Sequence, residues 1–301
     1  MAIITHALLA ALTQGFKASF QKKFGETPSD YASIATTVPS VTASNIYGWL
    51  GEFPDLEEWI GSRVLKDMKE HGYTIVNKLF ESTVSVKRTQ IEDDQAGLYK
   101  PMVEEMGRAA KIHPDKLCFG LLKEGATTAC YDGQNFFDAE HPVYPAMDGT
   151  GAAALVSNYS EGTGPAWYLM DTSRALKPIL FQERSKPEFE TITDTKNDTV
   201  FLRDLYLYGV RSRCNVGFGF WQLAYCSKKP LNEENFNAAY DAMAAFKGDG
   251  GRPLGIKADT LLVPTNLRTA ADEICKAARK ENGATNTNAN LVKSIVTPWL
   301  N

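Results

Sequence analysis

The sequence predicts an α+β protein that combines long helices with several extended strands. Three observations support this class. Helix-spaced apolar residues follow an acidic run near residue 95, and strand-like aromatic segments fill residues 166–226. A helix–strand–helix–strand order then occupies residues 231–301. With 301 residues, of which 44% are hydrophobic, the chain can bury one large core or two ordinary ones.

Residues 1–50 predict an arm with one or two helices followed by extended chain. Leu8, Leu12 and Phe16 are roughly helix-spaced. The stretch TPSDYASIATTVPSVTAS that follows is small, polar and interrupted by proline. Such a segment has little apolar surface to bury by itself, so we expect it to be disordered or ordered by a neighbouring molecule.

Residues 70–90 predict a two-stranded β-ribbon. Tyr73 and Ile75, then Val84 and Val86, alternate with polar residues as strand residues do. An isolated two-stranded ribbon is at best marginally stable in water, so we expect this one to lie on a neighbouring subunit. Those four residues are candidates for contacts between subunits, as are the charged residues on and just beyond the ribbon: Lys78, Lys87, Arg88, Glu92, Asp93 and Asp94.

Residues 93–112 give the strongest helical pattern of the chain. Acidic residues crowd the predicted first turn, where the helix dipole favours them. Pro114 is expected to interrupt the helix, and a shorter helix is expected to restart there and end at Gly125. The predicted apolar face consists of Leu98, Met102, Met106, Ala109 and Ala110.

The second half of the chain predicts strands and then a small α/β module. The segments AWYLMD, KPILFQER, PEFETIT and DLYLYGVRSRCNVGFGFWQLAYC are strand-like. We expect these strands, within residues 166–226, to pack with the long helix. Beyond residue 230 the pattern changes to a helix around Phe236, the strand DTLLVP, a helix around Ala271 and the final strand LVKSIVTPWL. The change predicts a domain boundary there.

Composition limits the classes of protein to which the chain can belong. The 32 basic and 36 acidic residues give a net charge of −4, whereas proteins that bind nucleic acid electrostatically are usually far more basic. The five cysteines are widely spaced without a C-x-x-C pair, which fits a reducing compartment. The N-terminus lacks the basic start of a signal peptide and the ~20 apolar residues of a membrane span. We therefore expect a soluble intracellular protein without a membrane partner.

The stretch DGQNFFDAEHPVY brings Asp132, Asp138, Glu140 and His141 close together in sequence. A transition-metal site needs three or four converging ligands, and in an extended segment His141 points away from Asp138 and Glu140. The favoured interpretation is a packed loop over a ligand site, which these side chains cap and Phe136-Phe137 anchors. A metal-dependent hydrolase using Asp138, Glu140 and His141 is the alternative.

Other catalytic patterns are weak. GDGGRPLG follows a helix rather than a strand and has no Lys-Ser/Thr opening a helix after it, so it does not match a P-loop. The sequence contains no G-x-S-x-G motif. An arm and a polar ribbon that cannot bury their own surfaces are typical of an assembly that buries them between copies. The residues alone thus favour a structural shell protein.

Several long segments carry a resemblance to a known family. SNIYGWLGEFPDLEEWIGSR, HGYTIVNKLFESTVSVKRTQIEDDQAGLYKPMVEEMGRAA, CYDGQNFFDAEHPVYP, RCNVGFGFWQLAYCSK, GGRPLGIKADTLLVP and LVKSIVTPWL resemble the major head subunit of Mu-like phages and prophages. The likeness spans nearly the full chain in the same order. That family is similar to the tailed-phage capsid proteins with the HK97 fold.

The resemblance implies an HK97-like capsid fold. Its parts would be an N-terminal arm over residues 1–50, a peripheral domain over 51–230 and an axial domain over 231–301. The peripheral domain would include an extended loop at about 63–91 and a spine helix at about 93–112. Strands that precede the helix–strand–helix module suggest a circularly permuted connectivity.

The resemblance also implies partners and a location. Copies of the chain would form hexamers and pentamers of an icosahedral shell, assembled in the bacterial host cytoplasm and present in the virion. Further partners would be a scaffolding protein, a portal, a decoration protein and packaged double-stranded DNA, bound non-specifically at the inner surface. No enzymatic activity, metal or cofactor is implied. An encapsulin-like compartment, which shares the fold but packages enzymes, is the alternative among shell proteins.

Overall fold

The structure is a computed structural model of the chain that describes residues 4–51, 72–93, 96–147, 149–280 and 282–301. Six α-helices form within these residues, and the two longest pack against each other. The helices are α1 (His6–Glu26), α2 (Arg88–Glu92), α3 (Lys100–Lys123), α4 (Asp198–Arg203), α5 (Glu233–Ala244) and α6 (Arg268–Cys275). Short 3₁₀ helices span Tyr31–Ser33, Ala96–Tyr99, Trp221–Leu223, Asp249–Gly251, Thr265–Leu267 and Pro298–Leu300.

Thirteen strands in the described residues form four sheets. The four-stranded sheet has the order β1-β9-β10-β4 and the five-stranded sheet the order β13-β12-β8-β11-β7, while β2 pairs with β3 and β5 with β6. The strands are β1 (Ala35–Pro39), β2 (Ser44–Tyr47), β3 (Tyr73–Val76), β4 (Lys78–Lys87), β5 (His141–Val143), β6 (Ala154–Val156), β7 (Tyr159–Ser160), β8 (Trp167–Met170), β9 (Ile179–Ile192), β10 (Leu205–Phe218), β11 (Ala224–Ser227), β12 (Thr260–Val263) and β13 (Lys293–Val296).

The N-terminal segment folds onto its own chain. The Thr5 side chain accepts a hydrogen bond from the Leu8 N–H at 3.2 Å and so caps α1. Leu9, Phe16 and Phe20 form the buried face of α1, which packs against α3. Strand β1 pairs in parallel with β9. The helix in this segment is confirmed. The expectation that the following segment is disordered or ordered by a neighbour is wrong, because β9 supplies a partner strand within the chain.

Helix α3 runs without a break from Lys100 to Lys123 and includes Pro114. A proline inside a helix removes one backbone hydrogen bond and crowds the preceding turn. The helix nevertheless continues because its next turns bury Cys118, Phe119 and Leu122 in the core. The predicted interruption at Pro114 is therefore wrong.

The N-terminal half of α3 also differs from prediction. The helix begins at residue 100 rather than about 93, and no acidic residue lies in its first turn. Leu98 is 72% exposed and Met102 is 53% exposed, so the predicted apolar face is wrong at this end, although Met106 is buried. A Cβ on Gly107 would lie 2.6 Å from the Phe20 carbonyl oxygen, which explains how α1 and α3 approach so closely.

The four-stranded sheet is built on one long hairpin. Strands β9 and β10 have 14 residues each and pair antiparallel from Ile179↔Phe218 to Ile192↔Leu207. All ten residues of β4 pair antiparallel with β10, from Lys78↔Cys214 to Lys87↔Leu205. Helix α3 contacts both β9 and β10, as the sequence predicts for this part of residues 166–226.

The predicted ribbon is wrong in its pairing. Strands β3 and β4 are both present, but only Asn77 separates them, so they cannot form a hairpin. Strand β3 pairs with β2, and β4 pairs with β10. Ile75 and Val86 are consequently buried within their own subunit, and the expectation that they depend on a neighbour for burial is also wrong.

The pairing of β2 with β3 bears on the predicted bounds of the extended loop. Tyr47 lies opposite Tyr73, so the chain leaves the sheet after residue 47 and returns before residue 73. The predicted bounds of about 63–91 are wrong from residue 73 onward, because residues 73–76 and 78–87 are sheet strands. The part of the prediction at 63–71 lies outside the described residues.

The five-stranded sheet crosses the predicted boundary near residue 230. Strand β8, which precedes that boundary, pairs with β11 on one side and with β12 on the other. The expectation that the strands within 166–226 form one domain with α3, separate from residues 231–301, is therefore wrong for β8 and β11. Every residue of these two strands is buried, and a strand buried on both faces requires a central position in a covered sheet.

Two hydrophobic cores stabilise the molecule. The larger core surrounds the five-stranded sheet and extends to the C-terminal half of α3. The smaller core lies between α1, the N-terminal half of α3 and the strands β4 and β10. The 3₁₀ helix Pro298–Leu300 returns to α3, where Lys123 donates a hydrogen bond to the Asn301 carbonyl oxygen at 2.6 Å.

Candidate functional site

The His141 side chain is held in a buried position by Asp132. His141 is 0% exposed, and its Nδ1 donates to Asp132 Oδ2 at 2.7 Å. The imidazole also stacks on Trp221 with the ring centroids 4.0 Å apart. The Cys130 thiol donates to the other carboxylate oxygen of Asp132 at 3.1 Å. We call Cys130, Asp132 and His141 the loop clamp, because they fasten the segment before β5 to the core.

Ionisation in the loop clamp follows from its burial. Burial opposes the charged form of Asp132, but hydrogen bonds from His141, Cys130 and the Gln134 N–H outweigh it, so the pKa of this carboxyl lies below its ordinary value. Burial, together with the Asp132 charge, raises the pKa of the Cys130 thiol. A protonated thiol and an ionised carboxylate match the observed direction of the hydrogen bond between them.

Asp138 caps the loop as the sequence predicts, whereas Glu140 does not. Asp138 Oδ1 accepts the Glu140 N–H at 3.1 Å, and Asp138 Oδ2 accepts the Asn135 side chain at 3.2 Å. The Glu140 side chain is exposed, whereas His141 is buried. The structure therefore does not bring together the three residues of the hydrolase alternative. Phe136 and Phe137 are buried as anchors.

The three residues of the loop clamp are close enough together to be considered as ligands of a metal ion. Donor atoms of Cys130, Asp132 and His141 lie within 4.8 Å of one another, so these three residues meet the distance condition for a shared ligand set. A structural zinc site takes four ligands, however, and here the thiol and the imidazole already donate to the same carboxylate. The Asp132 carboxylate accepts both hydrogen bonds, while His141 Nε2 is buried without a hydrogen-bond partner among the described residues, and we assign the cluster a structural role.

Asn158 completes this region and was missed by the sequence prediction. It matches a glycosylation pattern, yet it is fully buried. Its side-chain nitrogen lies 2.8 Å from the Phe136 carbonyl oxygen and 3.2 Å from that of Ala224. Its side-chain oxygen accepts the Asp138 N–H at 2.9 Å. Sequence periodicity does not distinguish a buried asparagine from an exposed one. The burial of Asn158 depends on its contacts with the loop.

A buried glutamine fastens β2 and β3 to the four-stranded sheet. Gln182 is 0% exposed and accepts the Tyr47 hydroxyl at 2.7 Å. Its side-chain nitrogen donates to the Ile75 carbonyl oxygen at 3.0 Å and to Asn77 Oδ1 at 2.8 Å. We call these four residues the Gln182 network. The network thus joins the end of β2 at Tyr47, and β3 with the adjoining Asn77, to Gln182 on β9.

The predicted contact residues separate into two groups. Ile75 and Val86 are buried, Val84 is half-buried, and the Tyr73 hydroxyl accepts the Phe218 N–H at 3.1 Å, so these apolar side chains stabilise their own subunit. Arg88 pairs with Glu92 at 3.1 Å. Lys78, Lys87 and Asp93 are exposed, while Asp94 lies outside the described residues.

Two exposed apolar surfaces were not predicted. The first, which we call the ribbon patch, comprises Val41 before β2, Ile46 on β2, Val76 on β3 and Leu79 at the start of β4. The second lies between β9 and β10, where Phe201 and Leu202 project from α4. Apolar side chains grouped in this way on a surface mark contact sites.

Comparisons with known proteins agree with this architecture. The model of the family described as "Mu-like prophage major head subunit gpT" matches residues 9–300. The chain is 47% identical over 275 residues to the "Major capsid protein" of Escherichia phage Mu, covering 90% of each. It is also 47% identical over 288 residues to the "Mu-like prophage FluMu major head subunit" of Haemophilus influenzae, covering 94% of each.

Solved structures give the same result. The subunit of the bacteriophage JBD30 procapsid superposes with a TM-score of 0.87 and 57% identity, covering 99% of this chain and 100% of that one. The subunit of the JBD30 capsid superposes with a TM-score of 0.78 and 42% identity, covering 100% of both chains.

The fold and these neighbours define a phage capsid subunit of the HK97-like type. The matches cover almost the entire chain at high identity. The chain belongs to the Mu-like prophage major head subunit family, whose members are structural proteins of the phage head shell. The encapsulin-like and hydrolase alternatives are set aside on this evidence. In the described part of the chain, no helix is both long and apolar enough to cross a membrane.

Proposed function

We propose that this subunit builds the head shell through contacts with copies of itself, arranged as hexamers and pentamers around packaged double-stranded DNA. The observation that carries the proposal is the family match over residues 9–300. We further propose a scaffolding protein, a portal and a decoration protein as partners, assembly in the host cytoplasm and a structural role without catalysis. A related JBD30 structure is described as a capsid decorated with minor capsid protein trimers, which supports the decoration partner.

We assign the two large sheets to the two domains of the proposed shell subunit. The four-stranded sheet with α1 and α3 would be the peripheral domain, because its long strands lie along the longest helix. The five-stranded sheet with α5 and α6 would be the axial domain. The segment between β2 and β3 would supply the extended loop, with the Gln182 network holding its base.

Contacts between subunits would use exposed groups rather than the buried apolar residues of β3 and β4. Lys78, Lys87 and Asp93 are exposed, and the ribbon patch offers apolar surface next to Lys78. Arg88 and Glu92 are already paired with each other, so they are weaker candidates. One exposed ion pair contributes only ~0–1 kcal/mol, but a closed shell repeats it in every subunit.

The test is assembly of the full chain at increasing concentration, measured by sedimentation and electron microscopy. Closed particles are expected for the wild type. Reversing Lys78 and Lys87 to glutamate should reduce particle yield, most strongly at low salt where charges are least screened. Reversing Lys17 and Lys22 on α1, which are also exposed, changes the net charge equally and serves as the control.

Wild-type protein that forms no particles at any concentration, with or without a scaffolding protein, would contradict the proposed self-assembly. Equal losses in the two reversed variants would instead contradict the assignment of Lys78 and Lys87 to a contact, because the loss would then follow net charge alone.

A further inference from the structure

The two longest helices carry a positive charge that the rest of the chain does not share. Together α1 and α3 contain eight lysine or arginine residues and four acidic ones, whereas the remainder of the chain contains 24 and 32. Residues 1–25 include no acidic residue. A chain with a net charge of −4 thus concentrates its cations on one part of the fold, and this asymmetry points to an anionic partner.

The two helices form one continuous surface. They lie side by side on the same face of the four-stranded sheet. Their contacts advance together along both helices, because Gly107 lies beside Phe20 and the Lys111 Nζ lies 5.3 Å from the centroid of the Phe24 ring. The helices therefore run in the same direction, and with 21 and 24 residues they extend over about 30 Å. We call the exposed surface of α1 and α3 the helix layer.

The acidic residues of the two helices already have partners. Three of them pair with basic residues on their own helix: Glu26 with Lys22 at 4.0 Å, Glu104 with Lys100 at 3.9 Å and Glu105 with Arg108 at 2.6 Å. The fourth, Asp115, is 2% exposed and accepts hydrogen bonds from the Ser29 hydroxyl at 2.8 Å and from the Tyr31 N–H at 2.7 Å. The remaining positive charge of the helix layer is therefore not compensated.

Four lysines carry this uncompensated charge, and we call them the helix-layer lysines. Among the residues that the structure describes, they form no salt bridge; they are Lys17, Lys23, Lys111 and Lys116. Lys17 and Lys116 are exposed, and the other two are half-buried. Ala10, Ala11 and Ala18 on α1 are exposed as well, and such small side chains let a partner come close to the helix.

We infer that the helix layer faces the packaged double-stranded DNA and that the helix-layer lysines bind its phosphates without reading the base sequence. The inference rests on the proposed shell function, which includes DNA but assigns it no surface of the subunit. Double-stranded DNA carries one negative charge per ~1.7 Å of its axis, so a surface about 30 Å long spans roughly 18 phosphates. Lysine is a compact point charge and suits contact with a row of phosphates in any register.

The net charge of the whole chain does not oppose this contact. At physiological salt, exposed charges more than ~8 Å apart are largely screened, so a phosphate responds to nearby lysines rather than to acidic residues elsewhere. Four lysines are too few for tight binding by one copy. A shell repeats them in every subunit, so many weak contacts add up without fixing the DNA in place.

The opposite face of the four-stranded sheet also carries cations but suits DNA less well. These cations are Arg184, Lys186, Arg211 and Arg213. Their sequence neighbours Ser185 and Ser212 line a cavity with residues of α3, so the cations alternate away from the helices. Glu81 and Glu188 lie directly opposite Arg211 on the two neighbouring strands. Carboxylates between the cations repel phosphates, and this face therefore supplies a control with the same number of positive charges.

Binding of the unassembled full chain to a fluorescein-labelled DNA duplex of random sequence, measured by anisotropy, tests the surface. Replacing the four helix-layer lysines with glutamine should lower the affinity roughly tenfold or more at about 50 mM salt. The slope of log affinity against log salt should become shallower by about 2–4, because each lost phosphate contact contributes ~0.9. Replacing Arg184, Lys186, Arg211 and Arg213 with glutamine removes the same charge and should change the affinity by less than about twofold.

Lysine acetylation measures the contact in wild-type particles. Lys17 and Lys116 should react several-fold more slowly in DNA-filled particles than in empty ones, with mass spectrometry as the readout. Lys186 on the opposite face is exposed and should react equally in both. This measurement needs no variant, so it decides the contact even where circular dichroism shows that the quadruple lysine variant has lost helix content.

The outcomes separate this contact from the proposed shell function. Equal losses of affinity in the two quadruple variants, or equal acetylation of filled and empty particles, would overturn the helix layer as the DNA surface and leave the shell function intact. Polyglutamate that competes with the duplex as strongly as unlabelled DNA at equal charge would also overturn it, because the lysines would then suit an acidic protein. If the wild type forms no particles, the proposed self-assembly fails, while duplex binding still decides the role of the lysines.

Discussion

Replacing Gln182 with leucine should strongly destabilise the subunit. The change removes three hydrogen bonds: a buried one that Tyr47 donates to Gln182, a buried one that Gln182 donates to the Ile75 carbonyl oxygen, and a part-buried one that Gln182 donates to Asn77. Each intact bond contributes ~0.5–1.5 kcal/mol, and a buried polar group left without a partner costs ~1–3 kcal/mol. The Tyr47 hydroxyl can turn toward another acceptor and Asn77 Oδ1 toward another donor, so we expect a total loss of about 3–5 kcal/mol in the free energy of unfolding.

The measurement is urea unfolding of unassembled protein followed by circular dichroism. Tyr47→Phe should cost ~1–2 kcal/mol, and the double variant should cost about 1 kcal/mol less than the sum, since both changes remove one shared bond. Hydrogen exchange should show faster exchange of the β2 amides in Gln182→Leu. Gln21→Leu on the exposed side of α1 is the control and should stay within ~0.5 kcal/mol of wild type. A Gln182→Leu variant as stable as that control would refute the reasoning.

Three further predictions concern the loop clamp and α3. His141→Ala should cost about 2–4 kcal/mol in urea unfolding, because it opens a buried site beside Trp221 and strands the Asp132 carboxylate, whereas Glu140→Ala should change stability by less than ~0.5 kcal/mol. Equal effects would contradict the assigned placement. The lowered pKa of Asp132 means that its ionised form contributes stability above the ordinary aspartate pKa of ~3.9, and that this contribution is lost as pH falls through the folded-state value. Acid unfolding of Asp132→Asn should lack that part of the pH dependence, and an unchanged profile would contradict it. Pro114→Ala should raise the unfolding midpoint by an amount corresponding to ~1–2 kcal/mol, since it restores a helix hydrogen bond, and a lower midpoint would show that the proline ring packs favourably.

Individual helices and strands were predictable because each one is indicated by a pattern within a short stretch of sequence. The spacing of apolar residues in α1 and α5 and the buried strands β8 and β12 follow from short windows of sequence. The capped loop was predictable for the same reason, since Asp138 bonds a backbone N–H only two residues away. The family was also predictable, because long matching segments occur in the same order along the chain.

Strand partners were not predictable from the same patterns. The alternation in β3 and β4 indicates two strands correctly, yet it carries no information about which strands they join. The partners are β2 and β10, and β10 lies more than a hundred residues further along the chain. The predicted hairpin is therefore wrong, because the partner of each strand is set by contacts between residues far apart in sequence.

The sequence by itself determined the protein family, most of the secondary structure and the capping of the loop by Asp138. Only the tertiary structure decided that α3 continues through Pro114, that Gln182 and Asn158 are buried hydrogen-bonding centres and that Phe201 and Leu202 remain exposed. A helix passes a proline when burial of the turns beyond it outweighs one lost hydrogen bond. A polar side chain is buried when distant segments supply its partners, and both conditions depend on contacts between residues far apart in sequence.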